Sequence, residues 1–310
     1  MALILALGAT QGCSSASKKP VKAAAKNSGK AETISGDSSD IPVAQEPDSP
    51  SASTDSDSSP SEATSKVQDA TPVGEISDSM YKKFSDARKG GNFKAAQEAA
   101  GEILARNPGD VRTLNGLSSL AIQQGKYDFA KMLISKVLSK EPGNSTAHNN
   151  LGVVFLKTDN LRLALVEFKK AIDSDSHNRF ARANLGSIYL QYRNYAAATE
   201  ELDAAVNSGD KSPETLSNLA FALSLSGQAE RAVQLYEEAL EKAPSNNLVR
   251  LNYAACLVER AAQPKKALNV LNKLKFSVND PVILEKVNQL AKKAEQAANG
   301  STEKGASQGL

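Results

Sequence analysis

Few residues in this sequence are of the types that carry out acid–base, nucleophilic or metal chemistry. The 310 residues include two histidines, two cysteines and no tryptophan. Neither His148 nor His177 belongs to a spacing typical of paired metal ligands, and no glycine-rich phosphate loop or nucleophile elbow is present. We therefore predict no catalytic residue, no metal site and no cofactor, and do not expect an enzyme.

The two cysteines have different surroundings. Two cysteines in a chain of this length do not make a disulfide framework. Cys256 lies among Tyr253, Ala254 and Leu257 in a helical apolar pattern, which predicts a small buried thiol. Cys13 instead follows an apolar run and precedes a long polar stretch.

Side-chain amides recur at one regular interval. Asn150, Asn184, Asn218 and Asn252 are each 34 residues apart. An amide both donates and accepts hydrogen bonds, so a ladder of amides can hold the backbone of an extended peptide without reading its sequence.

The same interval organises the apolar residues, which is the signature of internal repeats. Three series keep it in phase: Ala96, Ala130, Ala164, Ala198 and Ala232; Ile103, Val137, Ala171, Ala205 and Ala239; Leu117, Leu151, Leu185, Leu219 and Tyr253. We expect a repeat domain over 77–279, with copies at 77–110, 111–144, 145–178, 179–212, 213–246 and 247–279.

Each copy has the apolar pattern of two helices. In 145–178, apolar residues at helical spacing run from Leu151 to Phe155 and again from Leu161 to Ile172. The break falls near Asp159, where several other copies carry glycine, a residue that readily adopts the left-handed conformation beyond a helix end. The sequence therefore predicts helix-turn-helix units.

These units resemble the tetratricopeptide repeat, through Asn150-Leu151-Gly152, Asn160-Leu161, Ala164, Phe168 and Ala171. The resemblance implies an all-α solenoid of about six repeats, in which a small residue such as Gly152 lets two helices approach closely. It also implies a concave surface, lined by the first helices, that binds protein partners, the expected ligands being extended peptide segments. On that surface the resemblance places the four asparagines and, around them, apolar side chains that would form pockets: Val153, Leu156, Phe180, Phe221, Leu251 and Val258. The alternative is that asparagine is simply common at this place in the family, although the place would still lie on the groove.

A capping helix is expected after the last repeat, in residues 280–310. Asp280 is suited to the N-cap and Pro281 to the first helical position. The expected apolar side consists of Ile283, Val287, Leu290 and Ala294. We expect a disordered tail after Gly300.

The N-terminus resembles the export signal of bacterial lipoproteins. Residues 1–12 form an apolar run that ends in Gly12 and is followed by Cys13. The resemblance implies a signal peptide remnant and a lipidated Cys13, and Ser14 in place of aspartate implies the outer membrane, facing the periplasm. Thr10, Gln11 and the missing basic start depart from the family pattern. The alternative is an ordinary N-terminus with a chance cysteine.

Residues 13–76 are rich in Ser, Asp, Ala, Lys and Pro, and too poor in large apolar side chains to offset the entropy of ordering. We expect a disordered tether with a reach of roughly 45 Å. The formal net charge of the whole chain is +2, and its lysine clusters lack interleaved aromatic residues, so no nucleic-acid partner is expected.

Together these features predict a membrane-anchored scaffold for protein–protein interaction. We expect it to recruit subunits of an envelope machine for pilus assembly, secretion or gliding motility, as repeat lipoproteins of similar design do. A regulator that docks cell-wall hydrolases would use the same groove. A soluble co-chaperone is the alternative if Cys13 carries no lipid.

Overall fold

The computed structural model of the chain describes residues 75–306. The expected signal segment, Cys13, most of the tether and residues 307–310 lie outside the described residues. The described part contains thirteen α-helices and no strand. Their bounds are α1 Asp78–Lys89, α2 Phe93–Arg106, α3 Val111–Gln123, α4 Tyr127–Leu138, α5 Ser145–Lys157, α6 Leu161–Ser174, α7 Arg179–Gln191, α8 Tyr195–Asn207, α9 Pro213–Leu225, α10 Ala229–Lys242, α11 Asn247–Glu259, α12 Pro264–Lys275 and α13 Pro281–Ala306.

The first twelve helices form six antiparallel hairpins, and α13 packs on the last one. We call the odd-numbered helices from α1 to α11 the first helices and the even-numbered helices the second helices. Each helix contacts its hairpin partner and the following helix in the chain. The predicted all-α repeat solenoid with a capping helix is therefore confirmed.

The start of each first helix from α3 onward is fixed by a capping side chain. Asn144 Oδ1 accepts from Ala147 N at 2.9 Å, and Asn178 Oδ1 accepts from Ala181 N at 3.0 Å. Such caps satisfy backbone donors that have no partner within the helix. The full series keeps the 34-residue interval and continues into α13: Asp110, Asn144, Asn178, Ser212, Asn246 and Asp280.

The turn inside each hairpin requires a residue in the left-handed region. Gly91, Gly125 and Gly227 have φ values of 67°, 72° and 84° there, as the sequence predicts. Asp159 and Arg193 adopt the same conformation at 61° and 59°. A non-glycine residue in this region costs about 1–2 kcal/mol, which the packing of the two helices must offset.

Small residues allow the two helices of a hairpin to approach closely. The alanines of the first series are fully buried: Ala96, Ala130, Ala164, Ala198 and Ala232. A methyl group added at Gly152 would lie 2.6 Å from Phe168 Cε1, and one at Gly186 would lie 2.6 Å from Leu202 Cγ. These distances leave no room for a larger side chain, so the predicted packing of Gly152 and Gly186 is confirmed.

The capping helix α13 covers the apolar end of the stack. Val287, Leu290 and Ala294 are buried, and Asp280 Oδ1 accepts from Val282 N at 2.8 Å. The helix runs to Ala306, beyond Gly300, after which the sequence predicts a disordered tail. A single glycine inside a helix costs only about 1 kcal/mol relative to alanine and does not by itself end it.

Candidate protein-binding surface

The first helices lie on the inner side of the stack. Successive first helices from α3 to α11 contact one another directly, in addition to their contacts with second helices. Within residues 75–306, no two successive second helices make a comparable contact. Helices that converge form the concave side and helices that splay apart form the convex side, so the first helices form the floor of the groove.

The asparagine ladder lies beneath this groove surface and not on it. Asn150, Asn184 and Asn218 are only 7%, 3% and 4% exposed, whereas Asn252 is partly exposed. The expectation that these amides face a ligand is wrong for the three buried members. Neighbouring first helices pack so closely that the amides are enclosed between them.

The buried amides bond to the preceding repeat. Asn184 Nδ2 donates to Asn149 Oδ1 at 3.0 Å. Asn150 Nδ2 donates to Ser118 Oγ at 3.0 Å, and Asn218 Nδ2 donates to Ser187 Oγ at 3.1 Å. The amides therefore join successive first helices, and each of the three amide nitrogens already donates a hydrogen bond within the stack.

The amide and hydroxyl side chains between successive first helices form a polar layer, in which some buried polar atoms remain unpaired. Asn115 Oδ1, Asn184 Oδ1 and Ser217 Oγ are buried, and none has a hydrogen-bond partner among the described residues. A buried polar atom without a partner costs about 1–3 kcal/mol. The hydrogen bonds of this layer thus fix the relative position of neighbouring repeats, whereas its unpaired atoms lower the stability of the fold.

Apolar side chains on the first helices supply the accessible part of the inner face. Five of the six predicted pocket residues are half-buried: Val153, Leu156, Phe180, Phe221 and Val258. Leu251 is only 6% exposed and belongs to the core, which corrects its predicted place in a pocket. The Arg179 guanidinium carbon lies 4.7 Å from the centre of the Phe180 ring, in cation–π geometry. The accessible surface is therefore apolar with a cationic edge.

Cys256 is a structural thiol. Its side chain is 3% exposed, and burial raises its pKa to about 11. Because the thiolate is the reactive form, this environment suppresses nucleophilic chemistry near neutral pH. The sequence-based prediction of a buried thiol is confirmed.

Neither a metal cluster nor a membrane-spanning helix is found in the described part of the chain. No group of three or more His, Cys, Asp and Glu side chains within 75–306 is arranged to hold a metal ion. None of the helices in the same range combines the length and apolarity needed to cross a bilayer.

The repeat geometry agrees with comparisons to known proteins. Two family models, both described as tetratricopeptide repeat, match this chain, one at residues 81–130 and 117–179 and the other at 223–290. The chain belongs to the tetratricopeptide-repeat proteins. Such repeats serve as scaffolds for protein–protein interaction and generally lack catalytic activity. No curated protein sequence matches the chain.

Several solved structures are similar to this chain. YrrB, described as a TPR protein with an unusual peptide-binding site, is 19% identical, with 64% of this chain and 98% of YrrB covered and a TM-score of 0.50. PilF of Pseudomonas aeruginosa is 23% identical, with 64% and 93% covered and a TM-score of 0.48. A thermophilic TPR protein of Thermus thermophilus is 21% identical, with 58% and 98% covered and a TM-score of 0.48. At these identities the likeness concerns the fold alone.

Proposed function

We propose that this protein is a membrane-anchored scaffold of the cell envelope whose inner face binds an extended segment of a partner subunit. The observation that carries the proposal is the set of half-buried apolar side chains on the first helices, among them Val153, Phe180 and Phe221. Burial of such side chains against a partner is favourable at about 25 cal/mol per Å² of apolar area removed from water.

The chemistry of the surface defines the partner segment. Apolar side chains spaced along an extended backbone would contact Val153, Phe180 and Phe221, which lie in three successive repeats. Arg179 beside Phe180 favours a carboxylate on the same segment. A subunit of a pilus, secretion or motility machine that carries such a segment is the partner we propose.

The envelope location rests on the sequence around Cys13. An apolar run before the cysteine and a polar stretch after it suit a lipid anchor followed by a tether. Radiolabelled palmitate should enter the wild type and not Cys13→Ala, and the variant should move to the soluble fraction. Equal labelling of both proteins would contradict the anchor while leaving the binding surface open to its own test.

Photo-crosslinking in living cells tests the binding surface. A photoreactive phenylalanine analogue at Phe221 should give a discrete adduct with an envelope protein. The same analogue at Gln234, on the second helix of that repeat, is the matched control and should give none. Adducts of equal yield at both positions, or none at Val153, Phe180 and Phe221, would contradict the proposal.

A further inference from the structure

Four large apolar side chains are exposed on the second helices of two neighbouring repeats. Phe129 and Met132 on α4 are 37% and 58% exposed, and Leu163 and Val166 on α6 are 49% and 44% exposed. The two pairs are related by the 34-residue repeat. We name these four side chains the outer apolar patch.

The fold itself does not require apolar residues at these places. The equivalent pairs in three of the other second helices are Ala95 and Glu98 in α2, Ala197 and Glu200 in α8, and Arg231 and Gln234 in α10. Those helices pack in the same way with small, polar or charged side chains there. The outer apolar patch is therefore a property of the second and third repeats and not of the repeat family.

Cations without an ion-pair partner flank the outer apolar patch. Lys136 lies one turn beyond Met132, and Arg162 and Lys169 lie on either side of Val166 along α6. All three are exposed, and none forms an ion pair within the described part of the chain, unlike Lys131, whose Nζ lies 3.8 Å from Asp128 Oδ1. The patch thus combines apolar side chains with available positive charge.

We infer that the outer apolar patch is a docking surface for a bilayer containing anionic phospholipids. Charge complementarity selects this occupant, because Lys136, Arg162 and Lys169 would meet lipid phosphates while the apolar side chains enter the acyl boundary. The patch lies on the splayed, convex side of the stack. A fluid lipid surface can receive side chains there without a shape-matched groove.

The charge distribution along the outer surface also gives the docking an orientation. The two second helices that come next after the patch are acidic on their outer sides, with Glu200 on α8 and Glu230 and Glu241 on α10. An anionic surface repels these two helices, so the outer sides of the fourth and fifth repeats would stay away from it. The inference does not depend on lipidation of Cys13, and it leaves the inner face free for a partner.

Vesicle binding tests the docking surface. The full chain carrying Cys13→Ser, which cannot be lipidated, should bind vesicles of equal parts phosphatidylglycerol and phosphatidylcholine, and bind pure phosphatidylcholine far more weakly. Met132→Gln with Leu163→Gln should lower the partition coefficient at least about tenfold. Glu200→Gln with Ala197→Gln alters the equivalent places of α8 and should not weaken binding.

Reversal of charge separates the electrostatic contribution. Each cation near an anionic surface is expected to change the partition coefficient about fivefold. Lys136→Glu with Arg162→Glu should therefore abolish measurable binding in moderate salt. Circular dichroism of each variant checks that the repeats remain folded, which we expect because the altered side chains of the patch and its flanking cations are exposed.

Tryptophan fluorescence locates the contact, because the sequence contains no tryptophan. The emission of Leu163→Trp should shift to shorter wavelength on addition of the anionic vesicles, whereas that of Gln234→Trp should not.

Absence of vesicle binding by the parent chain would overturn the inference. The inference would also be overturned if Phe276→Ser lost vesicle binding while Met132→Gln/Leu163→Gln retained it, because Phe276 is 92% exposed at another site. A concentration-dependent dimer that Met132→Gln/Leu163→Gln abolishes, without vesicle binding, would assign the patch to a second copy and also overturn it.

Discussion

His148 and Arg182 occupy the same place in successive repeats, and each connects the second helix of its own repeat to the loop that ends the preceding repeat. His148 Nδ1 lies 2.7 Å from Glu167 Oε2, and its Nε2 lies 2.7 Å from the carbonyl oxygen of Pro142. Glu167 belongs to the second helix of the same repeat, whereas Pro142 lies in the loop that ends the preceding repeat. One side chain therefore joins two repeats.

Arg182 makes the equivalent contacts one repeat later. Its Nη1 group donates to Glu201 Oε2 at 2.6 Å, and its Nε donates to the carbonyl oxygen of Ser176 at 2.8 Å. Glu201 and Ser176 stand 34 residues after Glu167 and Pro142. The histidine thus has a structural role that its residue type alone does not indicate.

This relationship predicts different outcomes for two substitutions at His148. His148→Arg should preserve the free energy of unfolding, because arginine makes both contacts at Arg182. His148→Leu should lower it by about 1–3 kcal/mol, because Glu167 is only 8% exposed and would lose a partner. Leu216 occupies this place two repeats later, so leucine is compatible with the fold. Urea denaturation measures both variants, and equal stability of the two would contradict the assignment.

The buried amides predict a stability effect that an exposed ladder would not have. Asn184→Ala should lower the free energy of unfolding by about 1–3 kcal/mol, because Asn149 loses its partner inside the stack. Asn252→Ala, at the partly exposed end of the series, should change it by less than about 0.5 kcal/mol. A double-mutant cycle of Asn184 and Asn149 should show coupling. Independent effects of the two substitutions would argue against the bond.

The Tyr236 hydroxyl is fully buried and has no hydrogen-bond partner among the described residues. Tyr236→Phe should therefore raise the free energy of unfolding by about 1 kcal/mol, since the unpaired hydroxyl no longer has to leave water. Phe168 occupies the same place two repeats earlier, so Phe168→Tyr is the reverse substitution and should destabilise. A loss of stability in Tyr236→Phe would show that the hydroxyl does have a partner.

The burial of the Cys256 thiol predicts that thiol reagents modify it slowly in the folded protein. With the pKa of Cys256 raised to about 11, the folded protein holds almost no thiolate at pH 8. In a Cys13→Ser background, an aromatic disulfide reagent should modify Cys256 only as fast as the repeats unfold. Adding denaturant should accelerate the reaction in parallel with loss of helical circular dichroism. Rapid labelling of the native protein would contradict the burial of this side chain.

The fold could be predicted from the sequence because each copy repeats the same local signals. The interval between Ala130 and Ala164 fixes the repeat length, and the spacing from Leu161 to Ile172 fixes the helix type. The capping series that begins at Asp110 is a further signal, although only its last member, Asp280, is predicted as a cap. Local rules sufficed because each helix contacts mainly its neighbours in the chain.

The candidate binding surface was harder to predict because it depends on the distance between successive first helices. The interval shared by Asn150, Asn184 and Asn218 identifies one side of the helices but not how closely the next helix packs there. That packing encloses the amides and leaves Phe180 and Phe221 as the accessible groups. The outer apolar patch also carries a sequence signal, since Phe129, Met132, Leu163 and Val166 stand at repeat places that hold small, polar or charged residues in α2, α8 and α10.

The proposed binding of a partner by apolar side chains of the first helices is tested most directly by the affinity of the crosslinked partner for purified variants, measured by isothermal titration calorimetry. Phe221→Ser with Phe180→Ser should weaken binding at least about tenfold, while Met132→Gln with Leu163→Gln on the outer surface should leave the affinity unchanged. Thermal unfolding of each variant verifies that the repeats are intact. Unchanged affinity in the folded Phe221→Ser/Phe180→Ser protein would contradict the claim and place the binding site elsewhere on the chain.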